Sequence, residues 1–499
     1  MSSRDAVEIE RKFDVDESTP LPRLDKLPGV LHVQDPVEYR LDATYFDTAD
    51  LALANSRITL RRRTGGEDEG WHLKTLIDAD QRHEYHEPLG SDAHEVPERL
   101  LRRVRVHVRD RPLAAVVHLQ TTRLVRRLLD ADGRVLAEFC DDRVRAERFP
   151  SGAAAEEWRE WEVELVDGHP GLLDAAQTLL AESGVSLSGH VSKLSRALGE
   201  LAHPLPPARP RLGRKSPAGD ILLAYVAGNV RMLWAEDPRV RDDEPDAVHQ
   251  FRIALRRLRS ALGTFRPLLD REVADGLRTE LKWMAGELGA ARDLQVLHER
   301  LRALLAAEPA ELVIGPITGR IDDQLDTDTR AAREGGLAAL DSDRYFRLLD
   351  ALDAFLLSPP LAPAASEPAV AVIPDLIELQ RKRLKNRVRA AEAASGEARE
   401  LALHEVRKGA KQLRYAAEAS SPLGRRAATR LAAAAEEVQA ILGEHHDSVV
   451  ARALLLRWAG AAHSRGEDGF SYGRLHAREE AVAADADERF RAEWKRFAH

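Results

Sequence analysis

Residues 203–217 (HPLPPARPRLGRKSP) carry five prolines and too few apolar side chains to pack, and the character of the chain changes across them. Proline fixes φ and lacks a backbone donor, so such a run is neither helix interior nor central strand and reads as a linker. Before it, apolar and polar residues alternate, the period of a half-buried strand; after it, apolar residues recur every three to four positions, the period of a helix. The expected organisation is therefore a strand-rich domain at 1–202 and an all-helical domain at 218–499. A second proline-rich stretch, 358–374, again has five prolines and reads as a long connection that breaks the helical domain in two.

Composition removes several classes. A single cysteine, Cys140, excludes an internal disulfide and a cysteine-rich zinc site. No run approaches the roughly 18 apolar residues that span a bilayer, and MSSRDAVEIERKF at the N-terminus has no apolar signal core. The expectation is a soluble, cytoplasmic protein without a membrane partner. A formal net charge of -9 argues against a bulk cation that coats nucleic acid. The cations that matter are local.

The helical half contains a duplication. HQFRIALRRLRS begins at His249 and HEVRKGAKQLRY at His404, so His249, Arg252, Arg256 and Arg259 correspond to His404, Arg407, Lys411 and Arg414. LGAARD (288–293) and LGEHHD (442–447) follow at nearly the same offset, and two matched motifs at one offset indicate a repeat. On a helix each set of four spans about 80°, beside an apolar stripe of Val248, Phe251, Leu255, Leu258 and Leu262 in the first copy. One such cationic row is ordinarily a solvated face. Two related rows can line one groove suited to an extended polyanion. His446-Asp447 with His404 upstream suggests a metal phosphohydrolase, but the first copy has Arg292 at the His446 position, and arginine is not a metal ligand there. Asp293 and Asp447 read better as residues that orient a neighbouring cation or cap a helix.

These paired helices, each followed by Arg-Asp or His-Asp, resemble the CHAD domain, the conserved histidine α-helical domain, over 218–499. The resemblance implies two pseudo-symmetric four-helix bundles and a basic channel for long-chain inorganic polyphosphate, with His249, Arg252, Arg256, Arg259, His404, Arg407, Lys411 and Arg414 as its contacts. Lys408 and 381–389 (RKRLKNRVR) add positive charge nearby.

In the N-terminal half eight alternating segments stand out, from VEIERKFDV to EWEVELVD, with helical periodicity near 93–103, 170–183 and 190–201. The expected form is an antiparallel meander or closed barrel. Glu8, Glu10 and Lys12 share one strand face, as do Glu160, Glu162 and Glu164, with Arg61 and Arg63 on a strand between them. The opposite faces, Val7 and Ile9 or Trp161, Val163 and Leu165, are apolar. They can pack outward on helices while the charged faces meet inside. A charged interior is costly unless wet and ligand-filled. Mixed acids and cations suit divalent ions together with phosphate oxygens.

Glu8-x-Glu10-x-Lys12 is followed in order by Tyr45-Phe46-Asp47-Thr48, Leu60-Arg61-Arg62-Arg63, Trp71-x-Leu73-Lys74, Arg82-x-Glu84, Arg123, the Glu160–Glu164 strand and Ser192-Lys193. The series resembles the CYTH superfamily of triphosphate tunnel metalloenzymes across nearly all of 1–200; His72, between Trp71 and Lys74, departs from it. The fusion resembles bacterial CYTH-CHAD inorganic triphosphatases. It implies an α+β multidomain protein whose N-terminal eight-stranded antiparallel barrel, with flanking helices, forms a tunnel. It also implies Mg2+ or Mn2+ held by Glu8, Glu10, Glu162 and Glu164, with Glu160 or Asp142 as a further acid. Strand alternation leaves Asp141 and Asp142 open as the tunnel-facing residue.

Phosphates would be bound by Lys12, Arg61, Arg63, Lys74, Arg82, Arg123 and Lys193, with Glu8, Glu10 and Lys12 in the catalytic centre. The implied reaction is hydrolysis of inorganic tripolyphosphate to pyrophosphate and phosphate. The helical domain would concentrate polyphosphate or bring the chain to its granules. The alternatives are a tunnel enzyme acting on an organic triphosphate (an adenylate cyclase or thiamine triphosphatase), or a non-catalytic polyphosphate scaffold. Nucleic acid is disfavoured, because no aromatic residues recur among the basic stripes for bases to stack on. An unperturbed histidine titrates near 6.5, so polyphosphate binding is expected to tighten below that pH.

Overall fold

The computed structural model describes residues 4–78, 81–90, 95–150, 155–201 and 212–498. The chain divides into two compact units, with the cut between Pro207 and Ala208. Positions 203–211 of the expected linker lie outside the described residues.

The first unit is built on strands β1 (Arg4–Val15), β2 (His32–Val33), β3 (Val37–Asp47), β4 (Thr59–Thr64), β5 (Gly70–Asp78), β6 (Gln81–Glu87), β7 (Ala114–Leu129), β8 (Val135–Arg148), β9 (Glu156–Leu165) and β10 (Ser186–Leu187). Eight of them form the antiparallel series β1-β6-β5-β4-β3-β7-β8-β9. β9 then pairs back onto β1, Glu10 opposite Glu164 and Lys12 opposite Glu162, so the barrel closes and its long strands have no open edge. The two-residue strands β2 and β10 attach to β7 and β1.

Helices α1 (Ala52–Asn55), α2 (Glu98–Val108), α3 (Gly171–Glu182) and α4 (Lys193–Leu198) complete the unit. The outward alternate residues Phe13, Phe139, Trp161 and Val163 pack under Leu172, Leu173, Ala176 and Leu180 of α3. Leu60, Trp71 and Leu73 pack under Leu100, Val104 and Val108 of α2. That helix begins after Pro97 and runs to Val108, later than the expected 93–103, of which 93 and 94 lie outside the described residues. VRVHV (104–108) alternates like a strand, which hides the i, i+4, i+8 stripe of Leu100, Val104 and Val108. α4 plays a different part. Its Leu194, Ala197 and Leu198 pack on the inward-facing Tyr45, Val117, Leu119, Val144 and Trp158, plugging one end of the barrel.

The second unit consists, among the described residues, of α5 (Ala218–Arg241), α6 (Ala247–Thr264), α7 (Arg271–Ala306), α8 (Ile317–Leu340), α9 (Asp343–Leu357), α10 (Ala369–Ala393), α11 (Gly396–Ala419), α12 (Arg425–Ser464), α13 (Phe470–Ala498) and short 3-10 turns. α5–α8 and α10–α13 are the two copies of the repeat; α9 is additional. Tyr345 of α9 fills the first copy, its ring 6.4 Å from Phe251 and its hydroxyl donating to Asp237 at 2.8 Å. The residues entering α5 and α10 pair with each other. Ala218 N donates to Glu367 O and Ala369 N to Ser216 O, both at 2.8 Å, which is a local two-fold relation between the copies. The proline-rich connection is shorter than expected. α10 already begins at Ala369 and takes Pro374 into its second turn, where the missing N–H costs one helical hydrogen bond.

Each unit has hydrophobic clusters of its own. Residues 1–202 and 218–499 expressed separately should therefore each give a cooperative thermal transition. Aggregation of both, with rescue only on mixing, would show that they share a core.

Candidate active site and polyanion cavity

The barrel encloses a cavity of about 490 Å³. Glu8, Glu10 and Lys12 of β1, Arg61 and Arg63 of β4, Lys74 of β5, Arg82 of β6, Arg123 of β7, Glu162 and Glu164 of β9 and Lys193 of α4 all line it. Strand alternation brings the strand residues together, on the face opposite the apolar residues packed under the helices, and Lys193 enters from the first residue of α4. His72 lies on the same face as Lys74 and leaves its register intact, with Lys74 paired opposite Thr59.

Acids and cations interleave inside. Lys12 Nζ lies 2.7 Å from Glu10 Oε2 and also pairs with Glu162. Lys74 Nζ lies 2.5 Å from Glu8 Oε2, and Arg82 pairs with Glu10. Arg123 grips Asp142 through Nε at 2.8 Å and Nη2 at 2.6 Å and reaches Glu162 as well. Asp142 is thus on the tunnel side. Asp141 faces the other way and holds Arg159 at 2.8 Å. Burial pushes the Glu162 carboxyl up, but Lys12, Lys193 and Arg123 outweigh it and hold the group well below the usual range. Glu164 makes no ion pair with a described residue; burial, then Glu8, pushes it up to about 8 against the pull of Lys74 and Arg123.

The helical unit holds a second cavity, of about 1220 Å³. His249, Arg252, Arg256 and Arg259 of α6 line it together with His404, Arg407 and Lys411 of α11. Arg414 does not. Its Nε is 2.9 Å from Glu418 and its Nη1 2.8 Å from Glu436. The reason is local: four residues beyond Arg414 stands Glu418, whereas four beyond Arg259 stands Gly263. The LGxxxD motifs also acquire a meaning. A Cβ on Gly289 would sit 3.2 Å from the Arg252 guanidinium, and one on Gly443 would sit 3.4 Å from that of Arg407. The glycines give each arginine a seat against the facing helix. Asp293, inside α7 rather than at its end, holds Arg252 at 3.0 Å. Arg256, Arg259, Arg407 and Lys411 make no ion pair with any described residue.

Comparison with known sequences accounts for both halves. The CYTH domain model matches residues 6–198 and the CHAD domain model residues 224–456. Two curated relatives from Mycobacterium tuberculosis, named "Uncharacterized protein Rv2226" and "Uncharacterized protein MT2285", are each 39% identical over 97% of this chain and 95% of their own length. The chain belongs to the CYTH-CHAD family. Among solved structures, PptA from Streptomyces chartreusis is 26% identical, covering 56% of this chain and 100% of its own, with a TM-score of 0.48. The CHAD domain from the plant Ricinus communis is 27% identical over 58% of this chain and 96% of its own, with a TM-score of 0.46.

The CYTH domain has a donor set fit for a hard divalent cation. Asp142, Glu160 and Glu162 are buried and bring one carboxylate oxygen each within 4.8 Å of one another. Lys193 Nζ sits among them at 2.9, 2.7 and 2.6 Å. Glu160 Oε1 is nevertheless buried without a well-formed hydrogen bond. All-oxygen, mainly carboxylate coordination suits magnesium, calcium or manganese. Glu160 and Asp142 share the inward face with Glu162 and lie farther along it toward α4, beneath Lys193.

In the CHAD domain, Arg278 and Lys282 of α7 and Arg383 and Arg387 of α10 also line the cavity. The first two escape a repeat-based reading because their counterparts in the second copy are Ala432 and Glu436. Two histidines and a lysine of the cavity are shifted by their surroundings. Burial pushes His404 down, and His446 to about 4. Burial, then Arg407, Arg256 and Arg252, pushes the Lys411 ammonium down to about 7. A bound polyanion raises that value again, so protons are taken up on binding above pH 7. Affinity should be fully developed below pH 7 and decline as pH rises through it, by up to about tenfold per unit. Calorimetry at pH 8 in two buffers of different ionisation heat reads the uptake directly. Zero uptake would show that Lys411 is already charged.

Proposed function

We propose that the CYTH domain hydrolyses a linear triphosphate, inorganic tripolyphosphate, to pyrophosphate and phosphate with Mg2+ or Mn2+, and that the CHAD domain binds long-chain polyphosphate. The observation that carries the reading is the closed barrel interior, in which acids and cations line one cavity. A polyanion binder gains nothing from inward carboxylates; a metal-dependent phosphoryl-transfer site needs them. A divalent ion held by Glu8, Glu10, Glu162 and Glu164, with Glu160 or Asp142 as a further acid, would neutralise phosphate oxygens and acidify water.

The chain's own residues supply position and charge. Arg61, Arg63, Lys74, Arg82 and Arg123 fix successive phosphates along the barrel axis, and Lys12 and Lys193 neutralise charge that grows on the departing oxygen. α4 seals one end and excludes bulk water. No side-chain nucleophile is required; the Cys140 thiol is pushed far up, chiefly by burial. Among the described residues no helix is long and apolar enough to cross a membrane. We place the protein in the cytoplasm, where the CHAD domain concentrates polyphosphate or attaches the chain to granules.

A second reading, an organic triphosphate, draws on the β3 side of the cavity, where Val37, Leu41 and Ala43 carry no charge. Metal-dependent phosphate release from tripolyphosphate, ATP and thiamine triphosphate decides between them. Turnover of tripolyphosphate well above the other two is expected, and the reverse order would overturn the inorganic assignment.

A further inference from the structure

Ion pairs are unevenly distributed along the CYTH tunnel. Near the end plugged by α4, Lys12, Arg123 and Lys193 all meet carboxylates of β1, β8 or β9. Arg61 and Arg63 of β4 receive less from the walls. Arg61 has the Tyr45 hydroxyl at 3.3 Å, and Arg63 pairs, among the described residues, only with Asp68.

Asp68 is not on a wall. It belongs to the β4–β5 turn, Gly65-Gly66-Glu67-Asp68-Glu69, whose Gly66, Glu67 and Asp68 line the cavity. Glu67 accepts a hydrogen bond from the Tyr39 hydroxyl at 2.9 Å and lies 3.5 Å from Arg127. The turn is built to hold this pose. Gly65 and Gly66 have φ of +79° and +87°, and a Cβ on Gly65 would fall 2.2 Å from the Arg40 carbonyl oxygen. Beneath it, His72 Nε2 donates to the Asp68 carbonyl at 2.9 Å and His86 Nε2 to that of Glu69 at 3.1 Å. The Arg63 side chain is 7% exposed and that of Asp68 61%. The carboxylate can therefore swing into water, while the guanidinium stays in the tunnel.

We propose that Asp68, seconded by Glu67, is an intramolecular competitor for the phosphate subsite at Arg63 and determines which ligands the tunnel accepts. Its carboxylate stands against Arg63 where a phosphate oxygen would. A ligand gains Arg63 only if its phosphate chain extends that far and carries enough charge to displace the acid. Orthophosphate seated deeper in the barrel never meets this competition. The inference rests on the triphosphate reading of the tunnel and adds a residue that sets ligand length.

The test is calorimetric titration of the full chain with tripolyphosphate and with orthophosphate, without added metal, in four forms: wild type, Asp68→Asn, Arg63→Gln and the double variant. All four share the same CHAD domain, so differences between them report the tunnel. Asp68→Asn should bind tripolyphosphate more tightly, on the order of tenfold, the scale of one charge-assisted hydrogen bond released to the ligand. Orthophosphate affinity should not move, and the gain should vanish in the Arg63→Gln background. A turn that only supported the fold would weaken binding when altered. Unchanged or weaker tripolyphosphate binding by Asp68→Asn, a gain that persists without Arg63, or an equal gain for orthophosphate each overturns the proposal. If Arg63→Gln itself binds tripolyphosphate as wild type does, the triphosphate assignment at this subsite fails as well.

Discussion

Glu10→Gln is expected to leave a folded protein whose release of phosphate from tripolyphosphate falls by at least about 100-fold, the scale seen when one preorganised charge contact is removed from an active site. Glu10 is buried and meets Lys12 and Arg82 on opposite sides. Burial alone would push its carboxyl up, but Lys12, Lys74 and Arg82 together bring it below the ordinary value, so the wild-type group is charged. The amide keeps the volume and removes that charge, which weakens an oxygen-ligated divalent ion, takes from Arg82 its carboxylate and leaves Lys12 with Glu162. Glu8→Gln should act in the same direction through Lys74. Circular dichroism and the thermal midpoint separate loss of chemistry from loss of fold. Most of the activity surviving at saturating magnesium or manganese would remove Glu10 from the metal site.

Reversing charge at Arg256 and Lys411 together should lower polyphosphate affinity by at least about 100-fold, because two favourable contacts become two repulsive ones in a partly buried cavity. Neither residue has an acid partner among the described residues, and burial together with neighbouring arginines disfavours the charge of both. Their replacement also relieves repulsion from the neighbouring arginines. Wild-type binding should weaken steeply with salt, as counterion release governs other phosphate backbones. Titration with long-chain polyphosphate in rising salt measures both effects. Affinity of the double variant within a factor of about two of wild type, a difference below 1 kcal/mol, would reduce the stripes to solvated helix faces.

The barrel was legible because its constraint is local and periodic. Glu8-Glu10-Lys12 and Glu160-Glu162-Glu164 each display one face at period two, and an apolar opposite face leaves one way to fold them inward. What alternation cannot give is depth. It puts Glu160 and Glu162 on one face but does not say that Glu160, with Asp142, sits at the α4 end beneath Lys193. In the CHAD domain the repeat made α6 and α11 readable as a pair. It misplaced Arg414, because a difference of one residue, Glu418 against Gly263, decides whether the guanidinium turns away. It passed over Arg278 and Lys282 for the opposite reason: cations present in one copy only leave no trace in a comparison of copies. α9 has no counterpart either, and its role in filling the first copy depends on the contact between Tyr345 and Asp237, 108 positions apart.

The reciprocal hydrogen bonds of Ala218 with Glu367 and of Ala369 with Ser216 bear on what kind of molecule the CHAD cavity suits. Two copies related by a half-turn present their rows of cations in opposite senses. A strand with a chemical direction would be read forwards by one copy and backwards by the other. A chain of phosphates has neither head nor tail. It offers the same sequence of charges whichever end arrives first, so no encounter is spent in the wrong orientation.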